Sequence, residues 1–270
     1  MTPAEPRPAA SVLIVREGDA TPLLVYMIRR RKTMRFMGGY YAFPGGKVET
    51  GDAAGATLAR CRGLAPEAAA QLVSASDGIE PMAYWVAAAR ELLEEAGVVW
   101  ASDATGAPID VDAPGVAARV NRVRRALVDD TVPLPTLLEA EGWYLDLAPF
   151  RYLSHFITPP ASPIRFTARF FLTTLPPGQD AVHGDEEASE SLWIDPAEGY
   201  RRFRHGEMPM ADPAESALGY LSEFDSVEAL WAAHADGRHK FHGILDRISP
   251  VDGPQVAHAI GSAVPPVNPA

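Results

Sequence analysis

Residues 90–98 read Arg90-Glu91-Leu92-Leu93-Glu94-Glu95-Ala96-Gly97-Val98. At about 100° per residue, the glutamates of this run share one arc of a helix, and its apolar residues lie on the opposite arc. Like charges at these spacings, near a helix end whose dipole disfavours them, are destabilising. The run therefore predicts a helix over about 81–96. Its carboxylates either bind a divalent cation or form a solvated acidic surface.

A glycine turn precedes this helix. Residues 43–52 read Phe43-Pro44-Gly45-Gly46-Lys47-Val48-Glu49-Thr50-Gly51-Asp52. Paired glycines after a short strand allow a close approach of the backbone, including a carbonyl directed at a bound ion. Taken alone, such a turn also fits an ordinary structural bend, because Gly-Gly turns are common.

Together, the two segments resemble the Nudix box, the signature of Nudix hydrolases. Gly46 matches its first glycine, and residues 90–98 match its second half, Arg-Glu-apolar-x-Glu-Glu-x-Gly-apolar. Asp52 stands where the family has Glu, and 37 residues separate it from Arg90 where the family has seven. Asp52 also suits the more ordinary role of capping an inserted helix. One branch of the family, the CoA and acyl-CoA diphosphatases, carries a long insert at this point, and the resemblance to it spans roughly residues 11–235.

The resemblance implies an α/β fold, a Nudix-type α/β/α sandwich with a mixed sheet, a helical insert and C-terminal helices. We expect an extended tail over 1–9, a hydrolase domain over 10–240 with its insert at about 53–80, and a C-terminal tail over 241–270. Local patterns predict strands at 11–16, 23–30, 98–100, 149–157, 164–174 and 190–194, and helices at 114–129, 133–141, 196–205, 214–223 and 226–235. The insert must leave Gly46 near Glu94, because both belong to one motif.

The resemblance also implies a metal site. It assigns Gly46, Glu91, Glu94 and Glu95 as ligands of Mg²⁺ or Mn²⁺, ions that suit hard oxygen donors. Glu91 and Glu94 are also expected to take part in catalysis.

In many members of the family, a loop carboxylate before a Trp-containing strand completes the site or serves as general base. Glu187 is our first choice for this role and Glu190 the second, since both precede Trp193. A solvated acidic loop is the alternative. His155 and His183 flank the expected site, and we expect both to be structural, as we do Cys61.

Four arginines are candidates for substrate binding. Arg169 lies on an alternating strand, where it either clamps a diphosphate or faces solvent. Arg29, Arg30 and Arg31 form the most concentrated cationic run and suit an anionic group such as the 3′-phosphate of CoA. At least one of these three is expected to be solvated only.

The resemblance implies hydrolysis of a nucleoside diphosphate linked to another group X, a small-molecule substrate. CoA or acyl-CoA, cleaved to 3′,5′-ADP and (acyl-)4′-phosphopantetheine, is the first expectation. ADP-ribose or a nucleotide sugar is the alternative within this class, and a non-catalytic Nudix-fold ligand-binding module is the alternative from another class. Mutually repelling carboxylates argue against a pure binder, which has no need of them. A homodimer is compatible with the family.

Composition narrows these options. The chain has 270 residues, and 35 acidic residues against 24 basic ones give a formal net charge of −11, which disfavours nucleic-acid binding. A single cysteine, Cys61, excludes a disulfide framework. The apolar run at 23–28 is far shorter than a membrane span, and residues 1–10 lack the pattern of a signal peptide. We therefore expect no membrane partner and a cytoplasmic location.

Overall fold

The computed structural model describes residues 4–34, 36–73, 77–184, 188–234 and 255–256. Its strands are β1 (Arg7–Arg16), β2 (Leu24–Arg30), β3 (Tyr41–Ala42), β4 (Gly45–Lys47), β5 (Cys61–Arg62), β6 (Ala101–Ser102), β7 (Tyr144–Asp146), β8 (Arg151–Ile157), β9 (Phe166–Thr174), β10 (Ala188–Ile194) and β11 (Gln255–Val256). Its helices are α1 (Gly55–Leu58), α2 (Pro66–Leu72), α3 (Pro81–Ala96), α4 (Val116–Val128), α5 (Leu134–Glu141), α6 (Pro196–Arg204), α7 (Asp212–Leu221) and α8 (Val227–Ala233). A 3₁₀ turn spans Thr50–Ala53.

The main sheet is mixed. Its strands follow the order β10-β2-β1-β9-β8-β11, with β3 paired to β2 and β4 paired to β1. The central pair, β1 and β9, is parallel, as is the pair of β8 and β11. β1 pairs with β2 and β4, and β8 pairs with β9, in antiparallel fashion. The two strands predicted at 11–16 and 23–30 are present as β1 and β2, with Val15 opposite Val25.

Helices cover both faces of this sheet. On one face, α3 buries Trp85 and Leu92 in a cluster that includes Ala10 and Phe171 of the sheet. On the other face, a second cluster joins strand residues to α7 and α8. The expected α/β/α sandwich with a mixed sheet is therefore confirmed, and α3 belongs to one of its two outer, helical layers.

The helix α3 has the predicted bounds for local reasons. Proline is tolerated at Pro81 because the first-turn N–H has no partner inside a helix. The helix ends at Gly97, whose φ of 68° is left-handed and costs a glycine little. Because the helix ends at Gly97, the positions of the glutamates in its last turns are set relative to that end.

The insert differs in part from expectation. It contains the short helices α1 and α2, but also β5, which joins β7 and β6 in a separate three-stranded sheet. The strand expected at 98–100 is instead β6, two residues long and shifted towards the C-terminus. These strands form through distant pairing, Cys61 with Leu145 and Ala101 with Leu145, and carry no periodic pattern of their own.

The N-terminal tail is shorter than expected. Residues 7–9 belong to β1 and pair with Phe166, Thr167 and Ala168 of β9. The parallel pairing of β1 with β9 therefore continues through Pro8 to the start of the strand. Most of 241–270 lies outside the described residues, whereas Gln255–Val256 pairs in parallel with Phe156 and Ile157. Of the segments that the structure describes, no helix has the length and apolar character needed to cross a bilayer.

Candidate active site

The side chain of Arg90 connects the parts of the candidate site. Its guanidinium is buried, with 5% of the side chain exposed, and contacts both halves of the motif. It donates to Asp52 Oδ1 at 3.0 Å and Oδ2 at 3.1 Å, and to the Lys47 carbonyl at 2.7 Å. Its Nη1 reaches Glu91 Oε1 at 2.9 Å and Glu94 Oε1 at 3.2 Å. One cation therefore joins the glycine turn, the start of the insert and the carboxylates of α3.

Asp52, which stands where the motif of the resemblance has glutamate, pairs with Arg90. Its side chain is 2% exposed and forms a bidentate pair with the guanidinium, the strongest geometry for such a contact. Asp52 Oδ2 also accepts a hydrogen bond from Glu49 N–H at 2.8 Å. It thus serves in the ion pair and in capping the turn at Thr50–Ala53, so the two roles considered for it coexist.

Gly46 lies directly against Glu91. A Cβ added at Gly46 would lie 2.6 Å from the Glu91 carboxyl carbon, so a larger residue would displace the carboxylate from its present place. Burial and the Glu94 charge, opposed by Arg90, together raise the pKa of Glu91 to about 7. Burial also raises the pKa of Glu94. Negative charge is therefore costly in this cradle, and a bound cation would offset that cost.

Glu95 turns towards the glycine turn, where its Oε2 accepts a hydrogen bond from Gly45 N–H at 2.7 Å. The described part of the chain holds no three His, Cys, Asp or Glu side chains that converge as a ready metal cage. Magnesium does not require one, because it keeps several waters and uses one or two carboxylates together with substrate phosphates. The all-oxygen donors beside Gly46 fit Mg²⁺ or Mn²⁺ on that basis.

The three neighbouring arginines have different surroundings. Arg29 is engaged by Glu190 at 3.2 Å and stacks over Tyr41. Arg30 donates to the Phe36 carbonyl, and Arg31 is exposed. Ile28 belongs to the cluster beneath α3, and side chains two apart in a strand share a face. Arg30 therefore lies on the face of the sheet that α3 covers, whereas Arg29 lies on the opposite face.

Arg169 is buried, with 1% of its side chain exposed, which excludes the solvent-facing alternative. It pairs with Asp77 at 2.8 Å and stacks over Tyr84 of α3. Its Nη1 also contacts His155 Nε2 at 2.6 Å and Thr167 Oγ1 at 2.7 Å. Its role in clamping a diphosphate stays a prediction. The sequence analysis missed Asp77 and Tyr84, which gave no local signal.

Asp77, His155 and Thr167 of this network line a cavity of about 780 Å³ at the start of β1, together with Ile79 and Arg165. Burial and the neighbouring Arg169 charge, opposed by Asp77, together lower the pKa of His155 to about 4. The imidazole is therefore neutral at pH 7 and has a structural place between β8 and β9.

Of the two candidate general bases, Glu187 and Glu190, the structure describes only Glu190. Glu187 lies outside the described residues. Glu190 accepts hydrogen bonds from Arg29 and from the Tyr41 hydroxyl, on the face of the sheet opposite α3. This placement removes our second choice from the carboxylate cluster. His183 Nδ1 contacts Ser191 Oγ at 2.7 Å, in keeping with its expected structural role.

Solved structures provide the comparison with known proteins. The chain is 30% identical to a NUDIX hydrolase from Alicyclobacillus acidocaldarius, over 89% of this chain and 99% of that chain, with a TM-score of 0.71. It also matches a MutT NUDIX hydrolase from Burkholderia pseudomallei, at 15% identity over 80% of this chain and 98% of that chain, with a TM-score of 0.39. No family model and no curated protein matches the chain.

The first similarity extends over nearly the whole of both chains, and it agrees with the assembled motif around Arg90. The chain therefore belongs to the Nudix hydrolases. It is a hydrolase of the class that acts on nucleoside diphosphates linked to another group.

Proposed function

We propose that this chain hydrolyses the diphosphate of CoA or acyl-CoA, giving 3′,5′-ADP and (acyl-)4′-phosphopantetheine, with Mg²⁺ or Mn²⁺. One observation carries the hydrolytic part of the proposal. Arg90 closes the motif across the insert, so that Gly46, Glu91 and Glu94 occupy one site despite the 37 residues between Asp52 and Arg90.

Glu91, Glu94, Glu95 and the Gly46 carbonyl would hold the cation. When bound, a divalent ion neutralises charge on the diphosphate and lowers the pKa of a coordinated water. Arg90 fixes the rotamers of Glu91 and Glu94 through its shared Nη1, so their oxygens are oriented before substrate arrives. Glu187 remains the proposed general base, which takes the proton of the attacking water.

The choice of CoA rests on the insert and on Arg30. CoA differs from ADP-ribose by its 3′-phosphate, which needs a cation near the diphosphate site. Arg30 lies on the same face of the sheet as α3, at the end of β2. Arg29 is engaged by Glu190, and Arg31 is exposed beyond the strand. Arg30 is therefore the cation best placed to contact the 3′-phosphate.

A substrate panel tests this proposal. CoA, acetyl-CoA, dephospho-CoA, ADP-ribose, NADH and dinucleoside polyphosphates are incubated with Mg²⁺ or Mn²⁺, and the products are separated chromatographically. We expect CoA or acetyl-CoA to give the highest kcat/KM, with 3′,5′-ADP as a product. Faster cleavage of ADP-ribose would overturn the choice of CoA.

The same panel tests whether the chain is an enzyme at all. A Glu94→Gln variant serves as the control for contaminating activity. It keeps the pair of Arg90 and Asp52, so we expect it to fold like wild type. If the wild-type chain binds CoA in a titration but cleaves nothing in the panel, the proposed hydrolysis is wrong and the chain is a binding module.

A further inference from the structure

Arg124 contacts the carboxylate helix from outside the motif. It lies on α4, and its Nε donates to the Glu94 carbonyl at 2.9 Å. Its Nη2 donates to the Glu95 carbonyl at 3.2 Å. One planar guanidinium therefore bonds the backbone of two residues whose side chains form the candidate metal site.

The position of Arg124 matches the needs of a helix end. The last carbonyls of a helix have no partner within it, and the dipole there favours a positive charge. A Cβ added at Gly97 would lie 2.7 Å from Arg124 Nη1, so the guanidinium packs directly on the residue that ends α3. Gly97 thus has two reasons to be glycine: its φ of 68° and this close approach.

A loop is fastened to the same helix end. Val182 N–H donates to the Ala96 carbonyl at 2.8 Å. A Cβ added at Gly184 would lie 3.4 Å from Arg124 Nη2 and 3.9 Å from the Glu94 carbonyl. The loop 181–184 and the last turn of α3 therefore meet at Arg124. In the sequence, the proposed base Glu187 follows Gly184 by three residues.

We propose that Arg124 is a positioning residue, which holds the last turn of α3 and the loop 181–184 in the one arrangement that hydrolysis requires. The inference rests on the proposed hydrolysis for its kinetic consequence. Catalytic groups must be held within a fraction of an ångström, so a small rotation of the last helical turn lowers turnover. In the contacts above, Arg124 acts on α3 through the backbone carbonyls of its last turn.

Neighbouring residues of α4 provide matched controls. Arg125 donates to the Asn121 carbonyl of its own helix, and Arg122 pairs with Glu141 of α5. Val123 is buried in the core beneath α4, so its truncation to alanine destabilises the packing of α4 without removing a bond to α3. Arg124→Lys keeps the positive charge but lacks the fork that spans two carbonyls.

The experiment compares wild type, Arg124→Lys, Arg125→Lys and Val123→Ala. Amide hydrogen exchange is followed in peptides that cover 92–99 and 181–184, and kcat and KM are measured on the best substrate of the panel. For Arg124→Lys we expect at least tenfold faster exchange in both segments and at least tenfold lower kcat, with KM within twofold of wild type. Arg125→Lys should match wild type, and Val123→Ala should lower the unfolding temperature while it keeps kcat.

Each outcome decides the matter. Unchanged exchange in Arg124→Lys overturns the positioning role, and faster exchange with unchanged kcat overturns its importance for the reaction. An equal loss of kcat in Val123→Ala would reduce Arg124 to a general stabilising contact. If wild type cleaves no substrate, the proposed function fails, whereas the exchange data still decide whether Arg124 holds the helix end and the loop.

Discussion

Asp52→Asn removes one partner of a buried ion pair and nearly conserves the volume of the side chain. Asp52 and Arg90 are 2% and 5% exposed, and the pair is bidentate. Loss of one partner from such a pair costs about 3–5 kcal/mol, because the other charge stays buried. Arg90 keeps Glu91 and Glu94 as partners, which places the expected loss at the lower end, about 3 kcal/mol.

The assay is urea unfolding followed by tryptophan fluorescence, together with a thermal melt. A loss of about 3 kcal/mol corresponds to a fall in Tm of roughly 6–12 °C for a domain of this size. We also expect kcat to fall at least tenfold, because Arg90 orients Glu91 and Glu94 through the same guanidinium. Glu67→Gln is the control, since Glu67 is an exposed acid in α2 of the same insert.

The control should stay within about 0.5 kcal/mol of wild type. A loss below about 1 kcal/mol in Asp52→Asn would refute the reasoning, because it would show that the insert and the helix remain joined without the pair. Full stability with reduced kcat would also refute it, since the argument derives the loss of activity from the broken pair.

Glu94→Gln and Glu95→Gln should each lower kcat more than tenfold. Their Tm should equal that of wild type or be slightly higher, because one of the repelling charges of α3 is removed. Activity above a tenth of wild type would contradict the metal-site assignment. Arg30→Ala should abolish a preference of at least tenfold for CoA over dephospho-CoA, whereas Arg31→Ala should keep it; equal kcat/KM for both compounds in wild type would exclude the phosphate contact. For His155, the folded pKa of about 4 lies below the unfolded value near 6.5, so the folded chain takes up its proton only at lower pH. Its stabilising effect is therefore present above pH 6.5 and is lost as the pH falls towards 4. We expect the free energy of unfolding, measured in urea, to fall between pH 7 and pH 5 by about 1–2 kcal/mol less in His155→Asn than in wild type, after allowance for partial exposure. An equal fall in both proteins would contradict the buried neutral imidazole.

The helix α3 could be predicted to the residue because its signals are local. Pro81 marks the first turn, Gly97 marks the end, and the apolar positions between them repeat with the helical period. The longer strands of the sheet have similar signals, and their predicted bounds agree with the structure to within four residues. The candidate ligands on α3 follow from the same register.

The remaining features depend on contacts between distant residues. The three-stranded sheet contains strands of two or three residues, too short for a period to show. The pair of Arg169 and Asp77 joins residues 92 positions apart, and a single sequence does not reveal such a partner. The separate surroundings of Arg29 and Arg30 followed from the alternation of β2, but only once the face covered by α3 was known.

The insert shows why the motif must be defined in space rather than along the chain. The entropy of closing a loop grows as about 1.5RT ln n, so an increase from seven residues to 37 costs only about 1.5 kcal/mol. The insert offsets this cost with its own contacts: Ala69 and Val73 are buried in the core beneath the sheet, and Asp77 pairs with Arg169 near the start of α3. Asp52 and Arg90 then meet where the insert leaves the glycine turn. The insert is therefore anchored at both ends by arginine–aspartate pairs whose arginines are buried, so the meeting of Asp52 and Arg90 needs no particular chain length between them.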